Sequence, residues 1–178
     1  MTAIESAAHR VESFPPQVAP DCRVLVLGTA PSVHSLAVHQ AYAHPRNLFW
    51  PMMGEMFGAA PELAYAERIA RLHARGVGIW DVLRVCQRKG SLDSAIIRDS
   101  EIANDIPDLL RRTSSIRTIA LNGVRAGQAF RRLVLPRIEE RRQSNLVLLD
   151  LPSSSPAHAA MSRAEKTHRW RILIDFSN

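Results

Sequence analysis

Apolar residues in this chain gather in short runs closed by turn-forming residues. RVLVLG (23–28) is an apolar run ending in glycine, the pattern of a strand buried on both faces. IRTIALNG (116–123) and NLVLLDLP (145–152) repeat it, and GVGIWDVL (76–83) is a looser version. Helical spacing fills the intervals. ELAYAERIARLHARG (62–76) sets Leu63, Ala66, Ala70 and His73 on one stripe and stops at Gly76. Phe49, Met53, Met56 and Phe57 predict a helix beginning near residue 48, with Asn47 where an N-cap belongs. VRAGQAFRRLVLP (124–136) predicts a helix stopped near Pro136. MSRAEKTHRWRILIDF (161–176) predicts a C-terminal helix, with Ser162 and Glu165 spaced for a capping box and Trp170, Leu173 and Ile174 turned to the core.

Strands alternating with helices imply an α/β domain with a mainly parallel sheet. In such sheets ligands bind beyond the carboxyl ends of the strands. That rule nominates GTAPS (28–32), the Leu121–Asn122–Gly123 turn and LPSSSPAH (151–158). Residues 1–21, with three prolines and little periodicity, are expected to form an arm that packs on or trails from the domain, and residues 22–178 the domain itself.

Composition narrows the class. A chain of 178 residues that is 46% hydrophobic suits one core. No apolar stretch reaches the roughly 20 residues of a membrane span and the N-terminus lacks a secretion signal, so a cytoplasmic protein without a membrane partner is expected. Cys22 and Cys86 stand apart from each other and from any metal-spaced cluster, so neither a metal nor a cofactor is expected. The net charge is +6, carried almost wholly by arginine, since only Lys89 and Lys166 are lysines. Such a field suits a polyanion; codon bias toward arginine is the plain alternative.

YAHPRNLFWPMMGEMF (42–57) is chemically unusual. His44, Pro45, Arg46 and Asn47 place a titratable ring, a rigid kink, a phosphate-binding fork and an amide before two aromatics. A base drawn out of a nucleic acid needs an aromatic face and an edge partner that both donates and accepts, as an Asn amide does. Packing explains the same apolar positions. GTAPS and LPSSSPAH are likewise ordinary turn sequences; Ser155–Pro156 reads as an N-cap and first turn, and small hydroxyls at a helix start also hold phosphates. Asn122–Gly123 is a turn former first. Asp93 has the makings of a cap or ion-pair partner, and Asp81, after an apolar run, is the better site candidate, without an assigned role.

Taken in order, GTAPSVHSL (28–36), QAYAHPRNLFW (40–50) and LPSSSPA (151–157) resemble the uracil-DNA glycosylase superfamily, most closely its hypoxanthine-DNA glycosylase branch. The resemblance covers residue 23 to the end. It implies a single three-layer α/β/α domain with a central, mainly parallel four-stranded sheet, and a glycosylase that flips a deaminated base from DNA. Since neither lysine sits in a nominated loop to form a Schiff base, a monofunctional enzyme is expected, acting as a monomer. Several branches carry a water-positioning Asn or Asp before the proline of the first motif; here that position is Ala30. In the hypoxanthine-type branch the Asn of HPRN is the essential amide, which makes Asn47 the catalytic candidate. Phe49 matches the aromatic that stacks on the base, with Gly28, Thr29, Ala30, Pro31, His44 and Asn122 as further base-binding candidates. Pro152, Ser153, Ser154, Ser155 and Pro156 match the loop that grips the DNA backbone, joined by Arg46 and His158. The related enzymes often have a His where this chain has Leu151. A module of the same fold that binds lesions or single-stranded DNA without cutting is the alternative, as is a hydrolase using a serine of SSSP with His44 or His158.

Overall fold

The computed structural model describes residues 8–178. In chain order its elements are β1 (His9–Glu12), β2 (Val24–Gly28), α1 (Val33–Val38), α2 (Phe49–Phe57), α3 (Tyr65–Ala74), β3 (Val77–Asp81), β4 (Leu83–Arg88) and β5 (Ile102–Ala103). They continue as α4 (Ile106–Arg112), β6 (Thr118–Asn122), α5 (Val124–Ala129), α6 (Glu140–Gln143), β7 (Val147–Leu151), α7 (Arg163–Trp170) and α8 (Leu173–Ser177).

Four strands pair in parallel in the order β3-β2-β6-β7. Period-two alternation sends Leu25, Leu27, Ile119 and Leu121 to one face, where they pack with Ile106, Leu109 and Phe130. Val24, Val26, Val77, Ile79 and Ala120 turn to the other, against Phe49, Trp50, Met53, Leu72 and Trp170. The result is the expected α/β/α layering. β2 and β6 are buried throughout because helices cover both faces, whereas β7, at the sheet edge, is largely half-exposed.

Several elements differ from expectation. The run 76–83 is not one strand: β3 ends at Asp81, and after Val82 the chain enters β4 of a second, antiparallel sheet ordered β1-β4-β5. In α3 the buried side chains are Arg68, Ile69 and Leu72, while Ala66 and Ala70 are exposed and Leu63 precedes the helix. The larger apolar area of Ile69 and Leu72 sets the inward face, and Arg68 lies 4.6 Å over the Trp50 ring and donates to Gln40 at 2.9 Å. The segment 124–136 begins as α5, widens into a π-helical turn over Phe130–Val134 and closes as a 3-10 turn at Leu135–Arg137. Pro136 has no N–H to continue the α ladder and crowds the preceding turn. The C-terminal helix carries the expected capping box at Ser162 and Glu165 but breaks after Trp170, resuming as α8.

Part of the expected arm is described, and there it is stitched to the domain; residues 1–7 lie outside the described residues. β1 pairs antiparallel with β4, Ser13 N–H donates to Arg84 O at 2.9 Å, and Gln17 exchanges backbone hydrogen bonds with Ile79. The Trp80 indole donates to Phe14 O at 2.8 Å. Asn104 donates at once to Ser13 Oγ (2.9 Å) and Asp81 O (2.8 Å).

Candidate active site

Gly28, Asp81, Asn122 and Leu151 end their strands along one edge of the parallel sheet, with Gly28 registered against Asp81 and Asn122 against Leu151. Above them opens a cavity of about 480 Å³. Its walls come from all three nominated loops and from two segments between them.

The first wall is the turn Gly28–Ser32. A side chain at Gly28 would meet the Asp81 carboxylate at 2.7 Å and the Tyr42 hydroxyl at 2.8 Å, so this close approach requires glycine. The turn is fixed from outside. Gly28 O and Thr29 O accept from Val82 N–H (2.8 Å) and Leu83 N–H (3.0 Å), and Ser32 caps α1. The fully buried Arg88 guanidinium donates to Pro31 O and Gly90 O, and stands 3.6 Å from Asp93.

The second wall is the segment before α2. Its backbone is held at both ends, with Trp50 Nε1 donating to Ala41 O (2.8 Å) and Leu48 N–H to Ser154 O (3.0 Å). Asn47 is not the formal cap, which falls on Leu48, but its Oδ1 accepts from Phe49 N–H at 2.9 Å and so does a cap's work. That bond orients the amide. Its NH2 group has no protein partner among the described residues and is a donor at the cavity wall.

The aromatic face of the cavity is a correction. Phe49 is fully buried and does not line it; Tyr42 does, stacked on Phe49 at 3.9 Å with planes 24° apart. Motif position points to Phe49, whereas a left-handed backbone at Tyr42 (φ 56°) swings the tyrosine ring in front of it. Burial pushes the Tyr42 hydroxyl well above its ordinary range, with Asp81 adding to the effect.

The third wall is the loop after β7. Gly123, at φ 95°, lets β6 end against Ser153, whose Cβ would lie 2.9 Å from any added Cβ. Asn122 accepts from Ser154 N–H and donates to Ser154 Oγ, both at 2.9 Å, so its amide clamps the loop rather than standing free for a base. Pro152 O accepts from the Trp170 indole at 2.9 Å, and the buried Lys166 amine donates to His158 O at 2.7 Å. No helix starts at Ser155–Pro156: the chain makes a turn there, and α7 begins only after Ser162. Ser155 Oγ accepts from Ala157 N–H at 3.2 Å, closing that turn.

Of the sequence candidates, Gly28, Thr29, Ala30, Pro31, Asn47, Asn122, Pro152, Ser153, Ser154, Ser155 and His158 meet in the cavity. His44, Arg46 and Pro156 do not line it. His44 packs edge-on to His34 and accepts from Arg46 N–H at 3.2 Å, and the Arg46 side chain is solvent-exposed. Among the described residues no histidine bonds a serine of the loop, which leaves the serine-hydrolase alternative without its base. Asp81 lines the cavity too, as does Asp93, for which the sequence offered only a cap or ion-pair role. Tyr42, Ser91, Leu92, Val124 and Arg125 are wall residues that sequence reasoning missed, Tyr42 although it lies inside the motif 42–57.

A family model, the uracil DNA glycosylase superfamily, matches residues 15–177. The chain belongs to that superfamily. A hypoxanthine DNA glycosylase of Methanosarcina acetivorans is 35% identical to this superfamily member over 162 residues, 90% of this chain and 96% of that protein. A hypoxanthine DNA glycosylase of Methanosarcina barkeri is 31% identical over 118 residues, 66% of this chain and 73% of the other. The NMR solution structure of a Methanosarcina acetivorans protein, described as a candidate uracil DNA glycosylase, superposes with a TM-score of 0.73 at 29% identity, covering 93% of this chain and 99% of that one. Family and relatives support a DNA glycosylase, and the fold neighbour carries the α/β/α scaffold expected from its motifs.

Proposed function

We propose that the chain excises a deaminated base from DNA, hypoxanthine first and uracil or xanthine after it, by hydrolysing the N-glycosidic bond without cutting the strand. The observation that carries the reading is the Asn47 amide, oriented by Phe49 N–H on the wall of a cavity that the Gly28–Pro31 turn also lines. Cleavage of an N-glycoside builds positive charge on the sugar and negative charge on the departing base, as in glycoside hydrolysis generally. A site for it must hold a water, donate hydrogen bonds that strengthen as the base becomes an anion, and exclude solvent. Asn47 has both functions in one group: its NH2 donates, and the second lone pair of the pinned Oδ1 can orient the water.

The base stacks on Tyr42, backed by Phe49. The loop 152–158, with Arg46 outside the cavity, grips the flanking phosphates. A strand-cutting glycosylase needs an amine to form a Schiff base. Lys166 is engaged with His158 O, Lys89 is exposed, and neither lines the cavity, which favours a monofunctional enzyme.

One observation favours a second reading, a module that binds lesions without cutting: Ala30 lines the cavity and has no polar atom in its side chain. Base release from end-labelled oligonucleotides carrying one uracil, hypoxanthine or xanthine, followed by alkali, separates the two. Breaks that appear only after alkali support the monofunctional enzyme. Tight lesion binding with no release supports the module.

A further inference from the structure

On the cavity floor, the Asp81 carboxyl makes no side-chain hydrogen bond or ion pair with any described residue. Its Oδ1 and the Tyr42 hydroxyl converge on the face of Gly28, the cradle that a Cβ there would fill. Both residues line the cavity, where an extruded nucleobase would meet them.

We propose that Asp81 reads the extruded base as a neutral carboxylic acid, its C=O accepting from the ring N–H and its O–H donating to the adjoining carbonyl. This inference rests on the base-hydrolysis reading above. Hypoxanthine and uracil share that lactam edge, an N–H beside a C=O, and a carboxylic acid matches it with two hydrogen bonds at once. The donated bond falls on an oxygen that gains negative charge as the base leaves, so it strengthens toward the transition state and lowers the barrier. An ionised carboxylate has no proton to give. It would also repel the departing anion and the DNA phosphates.

The surroundings favour the neutral form. Burial first, and then the neighbouring Asp93 carboxylate, push the Asp81 carboxyl up to about 7. Asp93 is itself pushed up by burial. Arg88 opposes both shifts, but its guanidinium is engaged with Pro31 O and Gly90 O. The Tyr42 and Tyr65 hydroxyls and the Cys86 thiol, each raised first by burial with Asp81 adding to it, bring no positive charge.

The test is single-turnover base release from a hypoxanthine oligonucleotide between about pH 5.5 and 9 for the wild type, Asp81→Asn and Asp81→Ala. Binding to DNA carrying an abasic-site analogue, which has no base to read, and thermal melting serve as controls. The wild-type rate is expected to fall about tenfold per pH unit above about pH 7. Asp81→Asn keeps a donor and an acceptor but gives a weaker hydrogen bond, so it runs about tenfold slower at pH 6, stays flat, and overtakes the wild type above about pH 8. Asp81→Ala loses about 100-fold while binding abasic DNA normally. A wild-type rate flat to pH 9, an Asp81→Asn profile with the same alkaline fall, or near-normal release by Asp81→Ala overturns the inference. Should Asp81→Ala melt below the assay temperature, the crossover between the wild type and Asp81→Asn decides alone. A wild type that releases no base refutes the function itself, whereas release indifferent to Asp81 refutes only this assignment.

Discussion

At the scale of single residues the site separates groups that meet substrate from groups that hold them in place. Asn47→Ala should abolish most base release while leaving affinity for DNA within a few fold, because phosphate contacts supply most binding; release rates and gel-shift titrations check both halves. Near-normal turnover in that variant would remove Asn47 from the chemistry. The two stacked rings give a paired expectation. Tyr42→Ala should weaken lesion binding by about 1–3 kcal/mol, the range for a lost base–aromatic stack. Phe49→Ala should instead act on folding, costing about 3–5 kcal/mol as a cavity in a closed core. Comparing lesion affinity with thermal unfolding for both variants decides whether the tyrosine really is the platform.

Asp81 also leaves a mark on stability. Its folded-state value, about 7, lies above the ordinary 3.8, so between those limits the folded chain keeps a proton that the unfolded chain has lost. Stability from this group is therefore fully present at the acid end, declines as pH rises through the window, and stays at its lower level above pH 7. Asp81→Asn should be the more stable protein at about pH 8, by about 1–4 kcal/mol, with the advantage gone near pH 4. Denaturant melts at the two pH values read this directly.

At the scale of elements, what was legible in the sequence follows what each segment buries. β2 and β6 announce themselves because both faces are covered, so their central positions are uniformly apolar and no periodicity needs interpreting. β4 was hidden: it reads LRVCQR, and its last residue is a fully buried arginine whose inward role depends on the carbonyls of Gly90 and of Pro31, the latter 57 residues away. Tyr42 was passed over for a related reason. Its place in the wall depends on one left-handed residue in a non-glycine loop, which propensity does not foresee. The Asn122 clamp was likewise invisible, because its partner Ser154 lies 32 residues away. That clamp ties the end of β6 to the loop after β7, and Asn122→Ala should cost about 1–3 kcal/mol by leaving the buried Ser154 N–H and hydroxyl unpaired. Base release should fall with it, since Leu48 is bonded to Ser154 O and Asn47 is its neighbour. Unchanged melting in that variant would mean the clamp is not needed to hold the loop.

At the scale of the whole molecule, the formal charge of +6 sets how the protein meets DNA. Arginines neutralising phosphates release counterions, so affinity for undamaged duplex should fall at least about tenfold between roughly 50 and 200 mM salt. Fluorescence anisotropy across that range tests it, and a flat response would return the arginine excess to codon bias.

The antiparallel sheet lies outside the catalytic layer, yet at the junction of β3 and β4 Val82 alone separates the two sheets. The residues on either side of that junction are sewn to the N-terminal segment, through Ile79 and Trp80 before it and Arg84 to Arg88 after it. The segment thus works as a splint. It sets the pitch at which the floor of the site meets its wall, so damage to it would reach the chemistry through Trp80 and Asp81. A protease that clipped residues 8–17 would remove none of the residues that line the cavity, and base release should still fall.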